Sequence, residues 1–162
     1  GEYRSHLLFK AIPSAGLSDV STDGQSMAIN IVLSFAIPVV VRQGELQYQI
    51  SADDVAIAYN NNTKEVKVQL QMSRAGKHSV LGDISAYWTA ENGTEKLLSK
   101  STEYSIWTDL SKTYVELNWV GTEFAVTDGK LRVVYEGIKD FKGATFFERS
   151  FDVSKEEIRI IN

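Results

Sequence analysis

His6 and His78 are the chain's two histidines, and cysteine is absent. Metal chemistry on such side chains needs several ligands at short spacings, and two distant histidines give no zinc pattern. Without thiols there is no disulfide framework, thiolate metal site or cysteine nucleophile. His6 stands in a strand-like run, and His78 in the turn-like Gly76-Lys77-His78. The carboxylates are scattered as well. Asp53-Asp54 reads as a turn and Asp83 as the start of a strand. Acid–base catalysis would need two of them to converge on one substrate. No phosphate-cradling glycine loop, serine elbow or HExxH is present. The expectation is a protein without catalytic residues, cofactor or metal. Trp88, Trp107 and Trp119 are the remaining candidates, as a platform for sugar rings. Large aromatics are also the economical way to fill a β-sandwich. Asn61-Asn62-Thr63 and Asn92-Gly93-Thr94 match the glycosylation sequon, and both also read as turns.

Composition sets the frame for these residues. The chain has 162 residues, 43% hydrophobic and 23% charged, the balance of a globular protein of one domain or two small ones. With 17 basic residues against 21 acidic the net charge is −4, and no basic cluster suggests a nucleic-acid partner. No signal peptide and no membrane span is visible. The chain opens at Gly1-Glu2 straight into a strand-like run, so it is expected to be a processed or truncated piece.

The elements that must position everything are strands. Tyr3–Ile12 carries aromatic and branched residues with some alternation, and Pro13–Ser26 is a Ser/Gly/Asp/Pro stretch that reads as a long loop. Met27–Arg42 is the most marked run. Met27, Ile29, Ile31, Leu33, Phe35 and Ile37 are spaced two apart, which is the period of a strand. It exceeds the common strand of about 5–6 residues. It is either one long strand or two end to end with a bend at Pro38.

After Gly44 the signals repeat about every ten residues. Leu46–Ser51 and Val55–Tyr59 read as short strands, with a turn at Asn60-Asn61-Asn62. Lys64–Met72 puts Val66, Val68, Leu70 and Met72 on one face. Ile84–Thr89 turns Ile84, Ala86 and Trp88 inward, and Asn92-Gly93 is a strong hairpin signal. Tyr104–Trp107, Tyr114–Val120, Leu131–Tyr135 and Phe146–Val153 complete the series. Such spacing predicts an antiparallel sandwich over 44–153, about the ~100 residues of an immunoglobulin-like domain.

YRSHLLFKAIP, a loop, INIVLSFAIPVVVR and then a fresh β domain resemble the periplasmic chaperones of chaperone–usher pilus assembly. The resemblance implies an all-β fold, with an immunoglobulin-like second domain at 44–162. Residues 1–43 would be the F1–G1 hairpin of an incomplete first domain, whose strands A1 to E1 are missing. It implies a periplasmic protein that donates an alternating strand to pilin subunits before assembly at an outer-membrane usher. Met27, Ile29, Ile31 and Leu33 match the family's donor residues. Arg42 matches the arginine of its interdomain ion pair, with Asp140 in YEGIKDFKGA as the acidic partner. The chain departs from the family at Pro38, where a lysine commonly grips the subunit's C-terminal carboxylate. A hairpin deprived of its sheet is further expected to self-associate through Met27–Phe35. The other class considered is an extracellular adhesin or carbohydrate-binding sandwich, which would expose its tryptophans.

Overall fold

Alternation at period two, with no helical period to compete, gives strands throughout. A computed structural model of the chain describes residues 1–12, 32–91 and 93–161. Among these, every element of more than three residues is a strand. The chain divides into two compact units, Gly1–Gln43 and Gly44–Asn162.

The first unit is a two-stranded antiparallel hairpin of β1 (Glu2–Lys10) and β2 (Ser34–Arg42). Leu7 lies opposite Ile37, Phe9 opposite Phe35 and Tyr3 opposite Val41. The Gln43 N–H donates to the Gly1 carbonyl and the Ala11 N–H to that of Leu33, so the odd-numbered pairs are the hydrogen-bonded ones. Pro38 lies opposite His6, in the other class of pair. Its nitrogen therefore faces away from β1 and costs the hairpin no ladder bond. That is why β2 runs through Pro38 as one strand instead of bending there. The Arg42 Nε donates to Glu2 Oε2 at 3.0 Å and clasps the two strands at one end.

The second unit is a sandwich. Its strands are β3 (Tyr48–Asn60), β4 (Val66–Gly76), β5 (Val80–Ala90), β6 (Lys96–Ile106), β7 (Lys112–Trp119), β8 (Gly129–Gly137), β9 (Thr145–Val153) and β10 (Arg159–Ile161). The spatial order is β10-β3-β4-β7-β6-β5-β8-β9. β6 pairs with β5 along most of its length but meets β7 only at Ser99 and Lys100. It thus forms the corner where one sheet passes into the other, leaving β3, β4 and β7 facing β5, β8 and β9. This is the Greek-key order of an immunoglobulin-like fold. The two inner faces make the core: Val66, Val68, Leu70 and Met72 from β4, Ile84, Ala86 and Trp88 from β5, Leu131, Val133 and Tyr135 from β8. The buried Tyr135 hydroxyl donates to the Tyr104 carbonyl at 2.8 Å, so its polar end is satisfied inside the core.

Three local readings are corrected. Residues 46–59 do not form two short strands with a turn at Asp53-Asp54. β3 is continuous, with a bulge at Asp53, which the register skips between Ala52 and Asp54. The Asp53 carboxylate accepts from the Ser51 and Ser73 hydroxyls, so the extra residue is tied to both strands and pairing resumes beyond it. The Asn60 turn is real, but Asn60 works through its side chain, which accepts from the Asn62 and Thr63 N–H groups at 2.9 Å. The left-handed residue there is Lys64. Asp83 does not begin a strand. It lies inside β5, beside a bulge whose Glu103 has φ 52°.

Asp83 holds that bulge. Its Oδ1 accepts the Glu103 N–H at 2.9 Å, and its Oδ2 meets Lys100 Nζ at 3.0 Å. The Glu103 N–H, and then Lys100, keep its carboxyl below the usual carboxylate range. Asp83→Ala is expected to destabilise the sandwich by about 1–2 kcal/mol at neutral pH in denaturant melts. A carboxylate depressed on folding contributes above its unfolded pKa and loses that contribution as pH falls through the folded one. The gap between parent and variant is therefore expected to close below about pH 4.

Candidate functional site

Pairing odd residues with odd residues puts Tyr3, Ser5, Leu7 and Phe9 on the same face of the hairpin as Val41, Val39, Ile37 and Phe35. Seven of these eight side chains are apolar, and the opposite face mixes Arg4, His6 and Lys10 with Ala36 and Val40. The apolar face is open. Phe35 is 65% exposed, Leu7 and Phe9 54% each and Val41 56%. Burying such a side chain is worth about 1.5–3 kcal/mol, so this face is the most apolar surface the hairpin offers.

Leu33 is 62% exposed and shares its odd parity with this face. The other expected donor residues, Met27, Ile29 and Ile31, lie outside the described residues. Val39, Val41, Tyr3, Leu7 and Phe9 were not picked out from sequence. The signal for them is the antiparallel register, which makes two runs of modest alternation add up on one side. Arg42 ends β2 with its guanidinium on Glu2. Asp140 is exposed in a single 3-10 turn, Lys139–Phe141, of the second unit.

The histidines fall in separate units. His6 is exposed in β1. His78 is buried, and its Nδ1 accepts the Gln47 N–H at 2.9 Å, which fixes the segment leading into β3. Among the described residues no group of three or more His, Asp or Glu is placed to hold a metal. No helix among them is long and apolar enough to cross a membrane.

The tryptophans lie in the second unit. Trp88 is buried and packs on Phe124 at 5.3 Å between ring centres. Its ring also fills the space above Gly129, where an added Cβ would sit 2.5 Å from it. Trp107 and Trp119 are half-buried, and the Trp119 indole N–H donates to the Thr122 carbonyl at 3.1 Å. At this end of the sandwich is a cleft of about 650 Å³, lined by Tyr59, Trp88, Trp119 and Phe124, with Lys64 and Glu123.

All three tryptophans report on the second unit, which leaves the hairpin without a tryptophan signal of its own. Phe9→Lys/Phe35→Lys is expected to abolish most binding of a hydrophobic dye while tryptophan emission stays unchanged. Undiminished dye binding would place the accessible apolar surface elsewhere. The chain matches no protein-family model and no curated protein sequence.

Proposed function

We propose that the chain acts as part of a periplasmic chaperone that captures pilin subunits and delivers them to an outer-membrane usher. The hairpin serves as the last two strands of its first immunoglobulin-like domain. The observation that carries this reading is the open face of Phe35, Ile37, Val39 and Val41 on a strand with one edge unpaired among the described residues. A subunit lacking a strand offers a sheet edge and an apolar groove. Backbone hydrogen bonds along such an edge supply affinity, and alternate side chains fill the pockets. Met27, Ile29, Ile31 and Leu33 extend the same odd-numbered set toward the N-terminus. In the resemblance to the family they are the donor residues, and Arg42 with Asp140 fixes the angle between domains.

In the full-length protein, Ile31→Asp puts an unpaired carboxylate into an apolar groove, at a cost of several kcal/mol. Co-purification of a co-expressed pilin subunit is expected to fall by at least about a hundredfold, since each 1.4 kcal/mol is tenfold. Tyr114→Asp, on an exposed residue of the sandwich, is the matched control. Unchanged capture by the Ile31 variant would remove the donor role. Arg42→Ala and Asp140→Ala are expected to be non-additive in a double-mutant cycle on capture. Additive losses would reject the pair.

A second reading has one observation in its favour, the aromatic cleft beside Trp119 and Phe124. Its size suits a small ligand, with ring faces for a sugar and polar groups at the margin. Quenching of tryptophan emission in a sugar titration, with no effect of Ile31→Asp on any partner, would favour it over the chaperone.

A further inference from the structure

We propose that Pro38 is the end stop of the edge that β2 offers to a partner. An added strand of a pilin subunit pairs at Ser34 and Ala36 and does not pass Pro38. This rests on the reading of β2 as a donor and fixes the register and extent of the donation.

The ladder with β1 engages the odd-numbered residues of β2. The even-numbered ones therefore turn their backbone groups to the opposite edge. Ser34, Ala36 and Val40 each present an N–H and a carbonyl there. Pro38 presents a carbonyl alone, and its ring occupies the place of the N–H. Among the described residues β1 is the sole strand paired with β2, so no described strand lies on this edge. A strand advancing along it makes full pairs at Ser34 and Ala36. At Pro38 it loses one bond and meets the ring. Beyond lies only Val40 before β2 ends at Arg42. An edge proline is also one of the devices by which sheets resist unlimited edge-to-edge growth. Here it falls in the middle of the strand, so it closes one half and leaves the other open. Beneath both halves the apolar face is continuous from Phe35 to Val41. Side-chain burial alone would not tell a partner where to stop.

Pro38→Val restores the missing N–H with a residue that favours strands. Two measurements test the stop. In the first, parent and variant are followed by light scattering across a dilution series, with a second copy of the chain as the probe strand. The variant is expected to associate at about three- to tenfold lower concentration, the value of a regained ladder bond. In the second, amide exchange is read in the full-length protein with a co-expressed pilin subunit bound. Protection is expected at Ser34 and Ala36 in the parent and to spread to Val40 in the variant alone. The amides of Leu7 and Ile37, bonded to each other across the hairpin, report in both proteins that it is intact. Protection of Val40 in the parent complex overturns the end stop while leaving the donor reading standing. Equal association of parent and variant with the hairpin intact overturns it as well. Capture of no subunit by either protein removes the donor reading, and the dilution series then decides the end stop by itself.

Discussion

A strand makes its backbone hydrogen bonds in the plane of the sheet and projects its side chains out of that plane. It therefore has two debts to settle, at its edges and on its apolar face. Within the second unit, β4 settles both. β4 is flanked by β3 and β7, and its inward Val66, Val68, Leu70 and Met72 are buried under the opposite sheet. The hairpin settles neither. Among the described residues β2 has one flanking strand, and no described sheet of their unit covers Phe35, Ile37, Val39 and Val41. The two halves of the chain obey one rule, and the contrast between them is what gives the hairpin its proposed role.

Inside the sandwich, charge organises what the core does not reach. Arg132 lies on the outer face of β8, where it grips both oxygens of Glu95 at 2.7 Å and Glu148 of β9 at 3.0 Å. Its guanidinium also stacks over the Tyr87 ring of β5 at 4.4 Å. These partners hold it ionised and lower the pKa of Glu95. The cluster spans three neighbouring strands and the loop before β6, stitching the sheet from outside. Such exposed pairs contribute little each. Their geometric effect is to tie Glu95, just before β6, to β8 and β9.

Much of this was legible in the sequence where alternation is strict. Val66 to Met72 and Ile84 to Trp88 fall inward as their spacing requires, and β5 and β6 pair antiparallel, while Asn92 of the expected Asn92-Gly93 turn lies outside the described residues. The bulges at Asp53 and beside Asp83 were not legible. An aspartate that marks a turn and one that anchors a bulge have the same local sequence. Only the partners across the ladder, Ser73 and the Glu103 N–H, tell them apart. The hairpin's apolar face was half visible. Alternation flagged Leu33, Phe35 and Ile37. The contribution of Tyr3, Leu7 and Phe9 depends on a register set by a connection of more than twenty residues. The place of Pro38 in the ladder has the same origin. Its parity relative to β1 follows from pairing, and no property of the proline itself reveals it.

The last strand of the sandwich has a bearing on how the molecule can be handled. β10 runs parallel to β3, with Arg159 beside Ala58 and Ile161 beside Asn60. The chain enters the sandwich at Tyr48 and comes to the end of β10 near the far end of that same strand. Twelve steps at about 3.3 Å put these two points roughly 35–40 Å apart. A fluorophore, bead or surface linker joined beyond Ile161 would therefore stand most of the length of the sandwich away from the residue that receives the hairpin. Immobilised by that end, the sandwich would keep its receiving end clear of the support.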